Sequence, residues 1–537
     1  MKNFDAYQPT NWRRIFYAMK RILSLFLVVC LFACSRKDTE LIDGITAPKH
    51  VVDYEMDVDE IEHANVKRLY TDLNGTTLWK DSLCVQDALS FLRKGSGYGL
   101  PAHLYSTDSL QKAYQNRYDW SKDEAIAFEL ELSKQLLTFF NDVHHGHFQP
   151  NQLYADWDLY PPKLQWTRTH SEWFNARHFD SLARKLEPKH PQYHALKANL
   201  SKYDTWPDNP SVAYPEKLKL TPDTISPYVV NVRKQLQYWK YTLENDSSQV
   251  YDAALVKQIK AFQTKEGLNP DGVIGKGTLA ALNRSKHHLK AEIAANMERW
   301  RWYPTLDTAY VLINIPDYQL LVFAENEVKF QRKVIVGKAE RKTPVLVSTL
   351  SDIVLNPTWT LPPTIIAEDL AKHHKKDSSY FTKKNIQILN YKREPVSPLN
   401  WNPEKPNNYI YVQAPGDDNA LGRIKFNFKN RFLVYLHDTN TRSYYKREAR
   451  ALSSGCVRVQ DPLPIAEFLL DNPKVYPLDS LVAYTQPDRF TTTTVRVTKR
   501  LPLYIFYNTM WVNEKGQLIR RPDIYRWNSP LTKRLID

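Results

Sequence analysis

Helical spacing dominates the first part of the chain. Apolar residues recur three and four positions apart in segments near residues 57–73, 84–92 and 122–141. This spacing places apolar side chains on one face of a helix, so the segments are expected to pack on one another. The pattern predicts a helical scaffold domain over residues 53–221.

A second helical unit follows, and its turn is more specific than its helices. Helices are predicted over residues 228–243, 252–268 and 276–282, and Asn269-Pro270-Asp271-Gly272 separates the last two. Each of these four residue types favours a turn. Residues 222–290 are therefore predicted to form a three-helix module, with a generic helical hairpin as the alternative.

From residue 309 the apolar positions alternate instead. Short β-rich runs at residues 310–316, 319–323 and 333–337 are separated by turn residues, and the same pattern returns in two runs near the C-terminus. Those runs are residues 491–497 and 504–512, with a turn at 513–516. Alternation predicts a mostly antiparallel β domain over residues 291–537.

One stretch of this domain departs from the alternation. Residues 365–409 are polar, Lys-rich and Pro-rich, which predicts an insertion that caps the domain and stays outside its core. The chain as a whole is predicted to be a multidomain α+β protein.

Length and composition agree with several domains. A chain of 537 residues exceeds the roughly 250–300 at which one core stops growing, so two or three domains are expected. Hydrophobic residues make up 42%, enough for a packed interior. The net charge of +14 favours an anionic partner. The sequence lacks zinc-finger spacing, an RNA-binding signature and a dense basic block, so a wall polymer or anionic membrane is expected and nucleic acid is not.

The N-terminus has the order of an export signal. Met19 begins Met-Lys-Arg, an apolar run covers residues 22–33, and Cys34 follows. The run is shorter than the about 20 apolar residues that cross a membrane. Residues 31–34, Leu-Phe-Ala-Cys, resemble a bacterial lipobox, which implies cleavage before Cys34 and acylation of its sulfur. An uncleaved anchor or a chance apolar stretch is the alternative.

This leader predicts how the protein is held in the cell envelope. Residues 1–34 are interpreted as a signal sequence whose start is Met19, and residues 35–52 lack periodicity and are interpreted as a tether. Two cysteines then remain, Cys84 and Cys456. They could form a disulfide in an oxidising compartment, but the surroundings of Cys456 favour a catalytic role.

His437 and Cys456 occupy positions suited to nucleophilic catalysis. The apolar run 432–436 ends at His437, so the imidazole is expected at a strand end, held by a rigid sheet beside a cleft. Cys456 lies in a Ser-Ser-Gly-Cys turn before a predicted helix over residues 462–470, with Asp461 as its N-cap and Pro462 as its first residue. A thiol is mostly protonated at neutral pH, so a histidine within hydrogen-bond reach would activate it.

These residues resemble the catalytic signature of the L,D-transpeptidases, also called the YkuD-type domain. The family pattern is a His, a small residue and a Thr, followed at a short interval by Ser-His-Gly-Cys-x-Arg. The matching positions are His437, Thr439, Ser453, Gly455, Cys456 and Arg458. Ser454 stands where the family usually has a second His, and Asp438 replaces the small residue after the first His.

The resemblance extends from roughly residue 55 to the end. Five further segments look like the large branch of the family, which carries a scaffold, an inserted peptidoglycan-binding module and a capping segment. They are Met297-Glu-Arg-Trp-Arg-Trp, Asn314-Ile-Pro, Thr343-Pro, Asn356-Pro-Thr-Trp and Asn419-Ala-Leu-Gly. Residues 256–279 resemble the peptidoglycan-binding module, which in some proteins serves only as a spacer.

The resemblance implies a thioester mechanism. The thiolate of Cys456 would attack the carbonyl before the terminal D-Ala of a tetrapeptide stem, and His437 would protonate the departing amine. Backbone N–H groups around Ser454 and Gly455 would stabilise the oxyanion, with Asp438 as a positioning residue. The amine of a diamino acid on a neighbouring stem would then take the acyl group and form a 3-3 crosslink.

The remaining candidates are substrate contacts. Arg458 suits a stem carboxylate because its planar fork pairs bidentately with such groups, and an internal salt bridge is the equal alternative. Ser453 and Thr439 are assigned to substrate binding with it. Tyr435 and Trp359 are candidates for lining the cleft, although aromatic residues on β strands are more often core.

Several alternatives use the same residues. The enzyme could only hydrolyse stems, as a carboxypeptidase or endopeptidase, or attach a protein lysine to the wall. A non-catalytic wall-binding lipoprotein is a further alternative, against which the intact Cys456, His437 and Arg458 weigh.

The expected partners follow from these assignments. They are stem peptides, glycan and a membrane reached through the lipid on a periplasm-facing protein, and no cofactor is expected. His144-His145-Gly146-His147 is more typical of a solvated turn than of a metal site.

Overall fold

The structure is a computed structural model, and it describes residues 56–243, 247–325, 327–362, 365–367, 379–486 and 491–535. The predicted signal sequence, Cys34 and the tether lie outside these residues. Within the described part of the chain, no helix is both long enough and apolar enough to span a membrane.

The scaffold is helical and has its own core. Its longest helix, α4, begins with a capping box in which Ser121 Oγ accepts from the N–H of Glu124 and the Glu124 carboxylate accepts from the N–H of Ser121. Phe139 and Phe140 of this helix pack against Phe91 in the core. The helices are α1 (Ala64–Asp72), α2 (Ser82–Arg93), α3 (Thr107–Gln115), α4 (Lys122–His145), α5 (Pro150–Leu153), α6 (Arg168–Asn175), α7 (Phe179–Leu186) and α8 (Pro191–Lys202).

The helices predicted in the scaffold are present. The first begins later than predicted, because residues 58–60 form a separate 3-10 turn and α1 starts only at Ala64. The third extends to His145, where Gly146 adopts a positive φ of 87° and ends it.

The three-helix module is also present, with α9 (Pro227–Tyr238), α10 (Ala253–Lys265) and α11 (Lys276–Leu282). α9 ends before the predicted residue 243, because Lys240 adopts a left-handed φ of 64°. Gln263 closes the predicted turn: its side chain accepts from the N–H of Gly272 and donates to the carbonyl of Val273, both at 2.9 Å.

A long helix that the pattern did not predict follows the module. α12 (Lys286–Trp302) runs across the predicted domain boundary between residues 290 and 291. It packs against α8 and the C-terminal helix α16 (Ser529–Leu535), and even its charged residues Glu298, Arg299 and Arg301 are buried.

The β domain contains a ten-stranded sheet in the order β11-β3-β12-β10-β9-β4-β14-β1-β2, with β13 beside β4. The pairs β1–β14, β10–β12 and β11–β3 are parallel and the others are antiparallel, as predicted. β2 also pairs with β3, so the path of strands closes on itself. The strands are β1 (Tyr310–Asn314), β2 (Gln319–Ala324), β3 (Glu327–Gly337), β4 (Leu346–Leu355), β9 (Ile424–Phe428), β10 (Leu436–His437), β11 (Ala451–Ser453), β12 (Val457–Val459), β13 (Thr493–Arg496) and β14 (Pro502–Phe506).

The predicted insertion forms a smaller sheet with its own core. Its strands pair in the order β5-β8-β6-β7, and Phe381, Tyr411 and Trp401 pack in its interior. The elements are β5 (Trp359–Thr360), α13 (Ser379–Lys383), β6 (Ile386–Leu389), β7 (Pro395–Val396) and β8 (Ile410–Gln413). The capping sheet therefore begins before residue 365 and extends beyond residue 409.

One prediction near the C-terminus was wrong in detail. The run 504–512 is interrupted because the N–H groups of Thr509 and Met510 donate to the side chain of Asn296. Its last residues form β15 (Met510–Val512), which pairs with β16 (Leu518–Arg520) in a separate hairpin.

The helix after the cysteine also starts differently from the prediction. α14 (Leu463–Leu470) begins one residue late, since Pro462 takes the cap position without a side-chain hydrogen bond. Asp461 adopts a φ of 42° and does not cap the helix. A further short helix, α15 (Leu478–Tyr484), follows it.

Candidate active site

Three adjacent strands place the predicted nucleophile and base on one face of the sheet. β10 runs parallel to β12, with Leu436 opposite Val457 and His437 opposite Arg458. β9 pairs with the other side of β10 and places Lys425 opposite His437. Residues two apart on a strand share a face. The Cys456 face therefore consists of Lys425, Tyr435, His437, Cys456 and Arg458.

The turn before Cys456 is held by the side chain of Ser453. Ser453 Oγ donates to the carbonyl of Cys456 at 2.6 Å and accepts from the N–H of Gly455 at 3.2 Å. Gly455 has a φ of 111°, a conformation that side-chain-bearing residues rarely adopt. Ser453 thus shapes the turn, and the N–H of Gly455 is already engaged, so it is not free for the predicted oxyanion role.

A loop that follows β3 forms a hydrogen bond with this turn. Thr343 Oγ1 donates to the carbonyl of Gly455 at 2.7 Å and accepts from the N–H of Gly337 at 2.8 Å. A Cβ on Gly337 would lie 2.2 Å from the carbonyl oxygen of Arg341, so only glycine fits there. The exposed Ser454 accepts a hydrogen bond from Arg341 at 2.8 Å. The Thr343-Pro segment is thereby part of the cysteine loop.

The Cys456 thiol is largely enclosed, and it is a free cysteine, as is Cys84. Burial raises the pKa of the Cys456 thiol above its ordinary value. Hydrogen bonds from the backbone N–H and hydroxyl of Tyr435, and then the charges of Lys425 and Arg458, act in the opposite direction. The resting group is a thiol whose ionised form has two donors and two cations beside it.

His437 is suited to accept the thiol proton. It is buried, and its Nδ1 has no hydrogen-bond partner among the described residues. Burial, and then the charge of Arg458, lower the pKa of His437 to about 3, so the imidazole is neutral near pH 7. His437 pairs with Arg458, which is two residues beyond Cys456 and on the same face of the sheet.

Two cations flank the thiol without acidic partners. Lys425 Nζ lies 4.1 Å from the ring centroid of Tyr435, and burial lowers the pKa of Lys425. Arg458 Nη1 reaches Thr439 Oγ1 at 3.5 Å, while its buried Nε has no partner. Within the described residues neither cation forms an ion pair, which excludes there the predicted alternative of an internal salt bridge for Arg458.

Asp438 has a structural role. Its Oδ2 accepts from the N–H of Arg423 at 3.1 Å and from the guanidinium of Arg442 at 3.3 Å. A Cβ on Gly422 would lie 2.5 Å from the same oxygen, which explains the glycine of Asn419-Ala-Leu-Gly. Asp438 therefore fixes the loop that precedes β9. A cavity of about 690 Å³ adjoins it, lined in part by Asp438, Thr439, Arg423, Arg442, Asp461 and Gln486.

Trp359 of the capping sheet lies close to Tyr435 of the Cys456 face. Burial raises the pKa of Tyr435 overall, although Trp359 on β5 lies near enough to the Tyr435 hydroxyl to lower that pKa, and Cys456 lies near the same hydroxyl. The Tyr435 ring centroid is 5.6 Å from that of His437. Both aromatic residues are partly buried and packed against hydrophobic clusters, Tyr435 on the main core and Trp359 on that of the capping sheet.

Sequence reasoning missed Lys425. A lysine in an alternating strand is ordinarily an exposed side chain, and the sequence does not give the register that puts it opposite His437. The histidine cluster lies elsewhere: His147 Nδ1 pairs with Asp142 at 2.6 Å, and His144 Nδ1 with the carbonyl of Leu186 at 3.1 Å. The described residues contain no group of three or more potential metal ligands.

Comparison with family models decides the kind of domain. A model described as "L,D-transpeptidase catalytic domain" matches residues 308–477, which include every residue of the Cys456 face. This part of the chain is therefore similar to the catalytic domain of the L,D-transpeptidases. Models described as "Scaffold domain" and "Putative peptidoglycan binding domain" match residues 64–200 and 226–282. The three parts predicted from sequence resemblance are thereby confirmed.

A curated relative supports the same assignment. The chain is 32% identical over 323 residues to a Haemophilus influenzae protein named "Putative L,D-transpeptidase". The alignment covers 56% of this chain and 63% of the relative, so the chain spans less than two thirds of that protein's length.

Solved structures resemble the chain more weakly. An L,D-transpeptidase from Stackebrandtia nassauensis is 16% identical with a TM-score of 0.21, and the match covers 55% of this chain and 98% of that one. An L,D-transpeptidase from Mycobacterium smegmatis is 14% identical with a TM-score of 0.19, covering 37% and 58%. TM-scores this low do not by themselves establish a common arrangement.

Proposed function

We propose that the protein is a peptidoglycan L,D-transpeptidase whose nucleophile is Cys456. The observation that carries this proposal is the Cys456 face itself. A cysteine, a neutral histidine and two cations without acidic partners share one sheet surface inside a matched L,D-transpeptidase domain. A thiol beside a base that can take its proton is the arrangement of covalent acyl transfer.

The first half of the reaction forms a thioester. His437 takes the proton of Cys456 as Sγ attacks the carbonyl carbon before the terminal D-Ala of a tetrapeptide stem. The C–N bond then breaks, and His437 returns the proton to the leaving D-Ala amine. In the described residues the N–H groups of Ser454 and Cys456 have no acceptor, so they are our candidates for the oxyanion.

The second half transfers the acyl group. The side-chain amine of a diamino acid on a neighbouring stem attacks the thioester carbonyl and gives its proton to His437. The thiolate of Cys456 leaves and is reprotonated, and a 3-3 crosslink results. Water or a protein lysine in place of that amine would give hydrolysis or attachment of a protein to the wall.

Lys425 and Arg458 add a requirement on the donor. A stem that ends in free D-Ala has a carboxylate two bonds from the departing nitrogen, close to the scissile carbonyl. Two cations without an acidic partner stabilise such a group, because buried charges require compensation. We propose that they bind this terminal carboxylate and, when it has left, favour the thiolate of Cys456.

The other domains fit action at the cell wall. We propose that the three-helix module binds peptidoglycan and that Cys34 carries a lipid that holds the protein at the envelope membrane, facing the periplasm. Palmitate labelling of the cells, compared with a Cys34→Ala variant, tests the anchor: a labelled protein that loses its label in the variant is expected.

The activity is tested with purified disaccharide-tetrapeptide and mass spectrometry. The protein should form a dimer lacking one D-Ala, and Cys456→Ala should form none. Tripeptide without dimer would move the assignment to a carboxypeptidase. The absence of both products and of acylated Cys456 would overturn the enzyme proposal.

A further inference from the structure

A second cavity lies on a different part of the β domain from the Cys456 face. Its volume is about 500 Å³, within the range of roughly 300–1,000 Å³ that holds small ligands. It is bounded by β1, β2, the end of α12, the start of α8 and β15. We call it the aromatic groove, after the lining residues Trp300, Tyr310, Phe323 and Trp511.

The aromatic rings of the groove are held in fixed positions. Tyr310 stacks on Phe323 with ring centroids 4.6 Å apart, and Trp300 stacks on His190 at 3.9 Å. The guanidinium of Arg521 covers Trp511 at 4.9 Å from the ring centroid. Rings fixed in this way offer flat apolar faces at little cost in conformational entropy.

The polar groups at the groove suit a neutral ligand. The lining within the described residues includes the amide side chains of Gln192, Asn314 and Asn508 and two carboxylates, but no lysine or arginine. Both carboxylates are already engaged, since Asp307 accepts from the Tyr504 hydroxyl at 2.6 Å and Asp317 pairs with Arg521 at 2.8 Å. An anionic polymer would find little attraction here, whereas flat rings beside amides suit the faces and hydroxyls of a sugar.

Two polar atoms at the groove lack hydrogen-bond partners among the described residues and indicate which groups a ligand would carry. Asn508 Oδ1, an acceptor, and Trp300 Nε1, a donor, are buried without a partner among the described residues. Buried polar groups are ordinarily paired, so each exception requires an explanation. Asn508 is otherwise fixed, since its backbone N–H and carbonyl both bond to the Asn314 side chain at 2.9 and 3.0 Å.

We propose that the aromatic groove binds the N-acetylated amino sugars of a glycan strand, outside the three-helix module. An acetamido group carries one N–H donor and one carbonyl acceptor, which complement Asn508 Oδ1 and Trp300 Nε1. A further cavity of about 440 Å³ shares His190, Pro191, Trp300 and Leu306 with the groove, so the surface continues for a second sugar. The binding is independent of the chemistry at Cys456.

The test is calorimetric titration of the full chain with the tetramer of N-acetylglucosamine. Trp511→Ala should weaken binding roughly two- to tenfold through loss of an aromatic face, and Trp511→Phe should retain most of it. Tyr160→Ala, which removes a 72% exposed aromatic residue that does not line the groove, is the matched control and should bind as the parent does. Cys456→Ala should also bind normally, so this result is separate from that of the activity assay.

Three outcomes would overturn the proposal. The parent chain could fail to bind the tetramer, or Trp511→Ala and Tyr310→Ala could bind it unchanged, which would place all binding in the three-helix module. The glucose tetramer, which lacks the acetamido group, could bind as tightly as the N-acetylglucosamine tetramer. Melting temperatures near that of the parent would show that the variants are folded.

Discussion

Two regions of the protein each hold a pair of partly or fully buried cations, but only one of the regions provides carboxylate partners for its cations. At the junction between the three-helix module and the C-terminal hairpin, Arg284 and Arg520 both contact the buried carboxylate of Glu266, and Arg284 also pairs with Glu292 at 3.1 Å. On the Cys456 face, Lys425 and Arg458 have no carboxylate among the described residues.

The difference shows which cations serve the fold. A buried charge without compensation is costly, so cations that only support the structure are expected beside acids, as at the junction. Cations left uncompensated in a matched catalytic domain are better explained by an anion that arrives with the substrate. Substitutions in the two regions should therefore separate stability from activity.

The largest effect is expected at the junction. Glu266→Gln removes the carboxylate between Arg284 and Arg520 and leaves two buried cations, so the free energy of unfolding should fall by about 3–5 kcal/mol. Denaturant unfolding followed by circular dichroism measures this loss. Glu514→Gln, on an exposed turn, is the matched control and should change stability by no more than about 0.5 kcal/mol.

Arg458→Met should give the opposite result. Acylation of Cys456 by a tetrapeptide stem should slow roughly ten- to hundredfold, since a charge-assisted hydrogen bond contributes about 1.5–3 kcal/mol. The free energy of unfolding should stay the same or rise, because a poorly compensated charge is removed. A loss of stability as large as that in Glu266→Gln, with acylation unchanged, would show that Arg458 is structural.

Lys425→Met should have a smaller effect of the same kind. Loss of this positive charge disfavours the thiolate, so the pKa of Cys456 should rise further and alkylation by iodoacetamide near pH 7 should slow about tenfold, one pKa unit. Lys425→Arg keeps the charge and should restore most of the rate. Equal rates in the parent and in Lys425→Met would remove Lys425 from the account of the thiol.

The smallest expected effect is on the pH dependence of stability. Burial lowers the pKa of His190 to about 4 and is the main cause that lowers the pKa of His437 to about 3. An unfolded histidine takes up a proton near pH 6.5 and these two do not, so stability should fall as the pH falls below about 6.5, down to about 4 for His190. From pH 7 to 5.5 each histidine should contribute a loss of about 1 kcal/mol.

His190→Asn separates the two histidines. Asparagine can also cap α8, as His190 Nδ1 does by accepting from the N–H of Gln192. The variant should lose about half of this acid sensitivity in thermal melts at the two pH values and keep the parent's acylation rate at pH 7. An unchanged pH dependence of stability would contradict the assigned protonation of His190.

Sequence patterns gave the parts of the fold whose periodicity is simple. Alternation predicted β1, β2 and β14, and three- and four-residue spacing predicted α2 and α4. The sequence pattern did not predict α12, because the helix is buried on nearly all sides and its charged residues Glu298, Arg299 and Arg301 are buried as well. It therefore has no single apolar face that a sequence pattern would reveal. The end of β14 was not predicted either, because the N–H group of Thr509 donates to the side chain of Asn296, which is distant in sequence.

The candidate site also has features that the sequence predicted and features that it did not. Cys456, His437 and Arg458 lie in a short ordered motif, and the structure brings them to one face. The engagement of the Gly455 N–H by Ser453, the structural role of Asp438 and the place of Lys425 all depend on register and loop packing. Those relations arise only when distant segments pair, and the sequence alone does not give them.

The most direct test of the account uses two donors that differ at one group. One is a tetrapeptide stem ending in free D-Ala, and the other is the same stem with a C-terminal amide; the readout is the rate of Cys456 acylation by intact-protein mass spectrometry. The account predicts that the parent protein prefers the free carboxylate roughly ten- to hundredfold and that Arg458→Met loses most of this preference. Equal acylation by both donors in the parent, or an undiminished preference in Arg458→Met, would contradict it.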